Sequence, residues 1–358
     1  MNYQSNDIKS LIRSIFKKMN CSDADTQIIA DVLVEAELRG ISSHGIIRIT
    51  DYYNLWKVGR ANAKPNVRVV YETPSTAVVD GDGAFGMIAA HYAMQIAIEK
   101  AKIAGTGWVS VKNSNHYGIA GYYAMMALKN DMIGMAMTNA NPLVAPTFST
   151  AQMLGTNPIA VAIPAKEQPA YVADFATTPI ARGKLAIMAK KGDKSPLGFV
   201  QDKDGNASDN PDILKEGGSM LTLGGDYVHG SHKGYCLSSI VDIFSAVLSG
   251  ANFGPFVPPS VAYLPVLEKK VGEGTGHFFG AMRIDAFQPA SEIKAKMDEW
   301  ILTFRNAKPA KGYEKVLIPG DIERELTEKQ LIEGFPVLPV VINELKTIAE
   351  ELGVVTAL

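Results

Sequence analysis

A chain of 358 residues, 47% hydrophobic and 20% charged, has the make-up of a globular protein of about two domains. Its net charge of −2 argues against nucleic acid or an anionic membrane as a partner. The two isolated cysteines, Cys21 and Cys236, give neither a disulfide framework nor a Cys-based zinc site, no apolar run is long enough for a bilayer, and without a signal-peptide core a cytoplasmic location is expected.

The chain opens with helical patterning. Ser22 is a good N-cap, with acid in the turn that follows, and Ile28, Val32 and Ala36 then share a face. Gly40 ends that helix, and Ser42 or Ser43 can cap a second running to about Gly59. "NVRVVYETPSTAVVDG" reads as two strands around Thr73-Pro74, followed by a helix over Met87 to Ala104. "TGWVSVK" and "MIGMAMT" read as strands separated by a helix around Tyr122–Lys129, and "IAVAIP" and "AYVADF" as two more. Pro179 suits the first turn of a helix. Residues 192–231 are rich in Gly, Asp and Asn and read mostly as loop. "GYCLSSIVDIFSAVLSG" is an apolar helix, "HFFGAMRID" a strand, and from about Pro289 the pattern is helical again. Helical ends around a mixed centre imply a two-part α+β or α/β protein.

Gly81, Gly83 and Gly86 spell G-x-G-x-x-G between a strand and a helix. A dinucleotide-binding turn also needs an acid about 20 residues on, for the ribose hydroxyls. The next strand ends instead in Lys112, Asn113, Ser114 and Asn115. These glycines are therefore read as a flexible turn into a packed helix, with no pyrophosphate expected there.

Three other stretches carry more chemistry. In "RGISSHGIIRITDYY", a helix would place His44, Arg48 and Tyr52 on one face. An imidazole moves protons near neutral pH, a guanidinium grips a carboxylate, and a phenol adds a hydrogen bond. The plainer alternative is a solvated polar face. In "VSVKNSNHYGIAGYY", His116 follows a strand among Asn113, Ser114, Asn115 and Gly118, where α/β proteins place chemistry or simply turn. The third set points to anions. Asp174 ends a strand, and Thr177, Thr178 and Pro179 open the expected helix, whose free N–H groups would cradle phosphate. His232 and Lys233 open the apolar helix, where a cation opposes the helix dipole unless it faces an anion or snorkels to solvent.

In sequence order, "SSHGIIR", "NSNHYGIAGYY", "LGTNPIAVAIP", "ADFATT", "HKGY", "GHFFGAM" and "IPGDIE" resemble the malate/L-lactate/L-sulfolactate dehydrogenase family over essentially the whole chain. The resemblance implies a mixed α/β fold that binds NAD or NADP without a Rossmann domain, on a largely antiparallel sheet. It implies an NAD(P)-binding part at 71–287, a helical part made of 1–70 and 288–358, and a homodimer. It implies an oxidoreductase acting on a small 2-hydroxy or 2-oxo acid. The family also holds ureidoglycolate dehydrogenase, diketogulonate reductase and cyclic imino acid reductases. Carried over by motif, His44 and His116 are the two proton-transfer candidates, Arg48 grips the substrate carboxylate, and Ser43, Tyr52, Asn115 and Asn157 lie near the substrate. Asp174, Phe175, Ala176, Thr177 and Thr178, His232 with Lys233, and Gly320, Asp321 and Ile322 would meet the cofactor, Lys233 also polarising the reacting oxygen. Where many members read Thr-Asn-Ser, this chain has Thr138, Asn139 and Ala140, and Asp321 stands where Glu is usual.

The expected reaction is reversible hydride transfer between nicotinamide and C2 of the acid, with malate/oxaloacetate the first choice and lactate/pyruvate the second. No metal is expected. A metal-dependent hydrolase or lyase would have to recruit His44, His116 and His232, which lack a compact ligand spacing. A non-catalytic nucleotide sensor is the third class.

Overall fold

In a computed structural model that describes residues 2–356, the helices are α1 (Ser5–Lys18), α2 (Asp23–Leu38), α3 (Ile49–Lys57), α4 (Gly86–Ala104), α5 (Ala120–Met126), α6 (Arg182–Lys191), α7 (Ser231–Asp242), α8 (Ala290–Arg305), α9 (Asp321–Glu333) and α10 (Pro339–Glu351). The strands are β1 (Asn2–Tyr3), β2 (Arg68–Glu72), β3 (Thr76–Asp80), β4 (Thr106–Ser114), β5 (Met132–Thr138), β6 (Ile159–Ile163), β7 (Tyr171–Phe175), β8 (Val200–Gln201), β9 (Ala207–Ser208), β10 (Ser219–Met220), β11 (Thr275–Arg283) and β12 (Phe335–Pro336).

Local chemistry explains the first helices. Ser22 Oγ accepts the Asp25 N–H at 3.1 Å and caps α2. On α1, Ile8, Leu11, Ile12, Ile15 and Phe16 form one buried stripe, which packs on α2. β1 pairs antiparallel with β12, so the N-terminal segment is tied to the C-terminal one.

Seven strands form the main sheet, in the order β2-β3-β4-β11-β5-β6-β7. Only β3 and β4 run parallel, joined by α4; every other neighbouring pair is antiparallel. This is the mixed, largely antiparallel sheet expected. β11 arrives from late in the chain and inserts between β4 and β5. Its Phe279 and Ala281 join the core under α4 and α5, while Phe278 faces the other side with Met137, Ile159 and Val241. Gly280 leaves room for the Trp108 ring, which a Cβ would strike.

Two expectations change here. The 192–231 region is not all loop: β8, β9 and β10 form a small antiparallel sheet. Strands of two residues leave no alternating pattern to read. The turn at Gly81–Gly86 is also tied rather than loose. Gly81 N–H donates to Lys112 O at 2.9 Å and Gly83 N–H to Asn113 O at 2.8 Å. A Cβ at Gly86, the first residue of α4, would run into the carbonyl oxygens of Asn115 and His116. That glycine lets the helix press against the loop carrying His116.

Candidate active site

The helix expected from Ser42 or Ser43 to Gly59 is broken. Two 3₁₀ turns, Ser42–His44 and Ile46–Arg48, precede α3. Gly45 separates them at ψ −139°, and a Cβ there would strike the Glu37 carboxylate. That buried carboxylate accepts the Ile46 N–H at 2.8 Å and fixes the turn. His44, Arg48 and Tyr52 therefore do not share one helical face. Their side chains converge by another route.

The Tyr52 hydroxyl lies 2.7 Å from His116 Nδ1, and Tyr52 is only 1% exposed. The rings of His44 and His116 stack at 5.5 Å between centroids. His44 Nδ1 is 2.9 Å from Ser43 Oγ. Arg48 Nε donates to Ser43 O at 2.8 Å and Nη1 to Asp51 at 3.2 Å, which leaves Nη2 without a partner among the described residues. A cavity lies at the end of the sheet where β4 and β5 finish and β6 and β11 begin. His44, His116, Tyr117, Thr138, Ala140 and Ser260 are among its walls. Burial, then Arg48, pulls the His44 imidazole down to about 4. Burial, then the charges of Arg48, His44 and His277, holds His116 well below its ordinary value. Both rings are neutral in the free protein at neutral pH.

Other expected residues hold the site together from behind. Asn115 Nδ2 donates to the carbonyls of Gly83 and Ala84 at 3.0 and 2.9 Å, towards the glycine turn. Asn157 is fully buried; its Oδ1 accepts the Ala140 N–H at 3.1 Å and its Nδ2 donates to Ser238 O at 3.1 Å. It positions the cavity wall at Ala140.

Thr177 and Thr178 do not open a helix. α6 starts only at Arg182, after an extended Ala181, because Pro179 biases the residue before it towards extended backbone. The Thr177 N–H already donates to Thr156 O at 2.9 Å, and Thr178 Oγ1 donates to Ile180 O at 2.9 Å. Asp174 accepts the Gly121 N–H at 2.8 Å, and burial raises its carboxyl to about 6. Gly320, Asp321 and Ile322 lie against the same strand edge, since Val172 N–H donates to Pro319 O at 3.1 Å. Phe175 ends that strand and Ala176 follows it, so these two groups do come together. Asp321 is buried between Arg305 and Arg324, at 3.0 and 2.7 Å. His232 and Lys233 are exposed in the first turn of α7, His232 against Tyr227, and neither lines the cavity at His44 and His116. Among the described residues, no three His, Cys, Asp or Glu side chains are grouped to hold a metal ion.

Sequence reasoning missed four contributors. Glu37 sits in an apolar helix with only its burial to mark it. Asp51, three residues after Arg48, was visible as a helical ion-pair spacing. Tyr117 lines the cavity, stacks on His277 at 4.7 Å, and has a buried hydroxyl without a partner among the described residues. Arg60 donates to the carbonyls of Pro259, Val261 and Leu264, holding the loop of Pro258 and Ser260 over the cavity. That contact spans some 200 residues of chain, and no local pattern announces it.

An imidazole pair beside an open guanidinium edge, at the end of a mixed α/β sheet, suits a small organic acid and a proton transfer. Comparison with known proteins gives the class: this is an oxidoreductase enzyme acting on a 2-hydroxy acid. The family model described as malate/L-lactate dehydrogenase matches residues 3–346, and the chain belongs to that family. It is 39% identical to a malate dehydrogenase of Pyrococcus abyssi over 97% of this chain and 94% of that one. It is also 39% identical to an L-sulfolactate dehydrogenase of Methanocaldococcus jannaschii, over 96% and 95%. The crystal structure of malate dehydrogenase from Entamoeba histolytica superposes with a TM-score of 0.92 at 33% identity, covering 100% of this chain and 99% of that chain.

Proposed function

We propose that this enzyme interconverts malate and oxaloacetate with NAD or NADP, and that His116 is the proton-transfer group. The observation that carries the proposal is the cavity at His44 and His116, where Tyr52 holds His116 Nδ1 and the charge of Arg48, hydrogen-bonded to Ser43 O, bears on both imidazoles. Arg48 Nη2 grips the C1 carboxylate and orients C2. His116 Nε2 takes the hydroxyl proton in oxidation and returns it in reduction. His44, stacked on that ring, shapes its field, and Ser43 orients His44.

The residues at the outer strand edge suit a dinucleotide. Asp174 is an acid for ribose hydroxyls, Phe175 offers a ring 40% exposed, and Lys233 is an exposed cation for phosphate. Ala176, His232, Gly320 and Ile322 complete this proposed surface, with Thr177, Thr178 and Asp321 buried beneath it. When bound, the nicotinamide supplies or accepts the hydride. The domain division proposed is 1–70 with 288–358 against 71–287, with the site between them, and the location proposed is the cytoplasm.

A homodimer is supported by the apolar face of α7 and its π-helical extension. There Leu237, Ile240, Ile243, Phe244, Val247 and Leu248 are each 36–56% exposed. An exposed apolar stripe of this size marks a protein interface. The test of function is oxidation of NADH and NADPH with oxaloacetate, pyruvate and other 2-oxo acids. Turnover with oxaloacetate is expected; no turnover with any acid would overturn the reading.

A further inference from the structure

One carboxylate of a dicarboxylic acid has a partner in Arg48, and α6 provides a group for the other end. Its first turn packs beside the His44 segment, so that a Cβ on Gly183 would sit 3.7 Å from Ser43 Cβ. Arg182 lies within electrostatic reach of Asp51, the carboxylate that takes Arg48 Nη1. Thr50 Oγ1 donates to Glu344, the other acid that acts on Asp51. Because Asp51 is engaged by Arg48, Arg182 is left with the hydroxyl of Tyr263 at 3.5 Å as its hydrogen-bond partner.

Arg182 also lines a cleft of about 580 Å³ between α6 and the 259–264 loop. Asn141 belongs both to this cleft and to the cavity of His44 and His116, so the two spaces adjoin. The cleft carries positive charge. Lys190 lines it with Arg182, and its acid, Asp212, is paired with Lys215 at 2.6 Å. A short acid held at C1 by Arg48 has this basic cleft on the way out from the reacting carbon.

We infer that Arg182 binds the distal anionic group, a carboxylate or a sulfonate, of the 2-oxo acid and so selects acids with a second negative charge. The inference rests on the hydroxy-acid reading above and adds a residue to it. Arg182 is exposed at the start of its helix, so replacing it leaves the core intact. A charge-assisted hydrogen bond of this kind contributes about 10- to 100-fold in binding.

The test uses the full-length enzyme with its nicotinamide cofactor and three acids: oxaloacetate, sulfopyruvate and pyruvate, which lacks the distal anion. In Arg182→Gln, kcat/KM for both dianions should fall about 10- to 100-fold, mostly through KM. Pyruvate and cofactor constants should stay within about threefold, and Arg182→Lys should restore part of the loss. Equal losses on all three acids, or a raised KM for the cofactor, would overturn the assignment, and so would no loss at all. A wild-type enzyme that reduces pyruvate but neither dianion overturns this inference and the choice of oxaloacetate, and leaves the 2-oxo acid reading standing. One that reduces no 2-oxo acid overturns the function on which it rests.

Discussion

An imidazole that takes a proton at Nε2 keeps its hydrogen on Nδ1 both before and after the transfer, so Nδ1 needs an acceptor as its neighbour. The Tyr52 hydroxyl, 2.7 Å from His116 Nδ1, can be that acceptor. Among the described residues the one other contact of Nδ1 is the Gly118 N–H, distant at 3.4 Å and able only to donate, so it cannot take that hydrogen. Burial keeps the Tyr52 phenol far above its ordinary value, so it stays neutral throughout. Tyr52→Phe should therefore lower kcat by about 10-fold or more and move the pH dependence of kcat, at a stability loss of about 1–2 kcal/mol. An unmoved pH profile would reduce Tyr52 to a packing residue. His44, Arg48 and Tyr52 were legible as chemistry, because their residue types fit an acid and a proton. The pairing of Tyr52 with His116 was not legible, since it joins positions 64 apart through packing.

At the scale of elements, glycines set where the proposed catalytic groups sit. Gly45 breaks what would otherwise be a helix, and Glu37 holds the broken form. Gly45→Ala should drive the Cβ into Glu37, displace His44 and lower kcat/KM at least about 10-fold with little change in helix content, as overpacking costs about 1–3 kcal/mol. The G-x-G-x-x-G turn separates two kinds of glycine. Gly86→Ala meets the carbonyls of Asn115 and His116 and should lower kcat. Gly83→Ala has open space, its nearest neighbour being Asn62 Cβ at 3.7 Å, and bears only the cost of φ +68°, about 1 kcal/mol. Neither change should raise the KM for the cofactor; a large rise in Gly83→Ala would restore the dinucleotide reading of this turn. The motif was plain in the sequence, but its reason lies in a contact with a loop some 30 residues on. Most helices and strands of the main sheet were legible from periodicity and turn residues. The insertion of β11 between β4 and β5 was not, because strand order depends on contacts between distant segments.

For the whole molecule, the buried imidazoles set a pH limit. Burial pulls His44 to about 4 and His277 to about 3, and lowers His116 well below 6.5. Between those folded values and the ordinary 6.5, the unfolded chain binds more protons. The stability these groups confer is thus complete above pH 6.5 and is lost as pH falls through that window. Asp174 acts oppositely: its carboxyl is raised to about 6 from 3.8, so its penalty is present above pH 6 and fades as pH falls. Burial also lowers His91 and raises the carboxyls of Glu35, Glu37, Asp51 and Asp242; over pH 6.5 to 5 the unfolded chain's imidazoles take up their protons and outweigh the carboxyls, so Tm should fall there. Calorimetry showing a rising Tm over that interval would contradict this balance. Asp174→Asn, in turn, should stabilise the protein near pH 8 by roughly 1–3 kcal/mol. The family was legible from seven tags spread along the chain. What the tags could not convey is how His44, His116, Tyr117, Thr138, Ala140, Pro258 and Ser260 meet at one cavity.

The most direct measurement is the turnover of oxaloacetate with a nicotinamide cofactor by wild type, His116→Ala and His44→Ala. His116→Ala should lose about 10²- to 10⁴-fold in kcat with a nearly unchanged KM for oxaloacetate, and His44→Ala should lose less. A His116→Ala enzyme turning over at the wild-type rate would contradict the account.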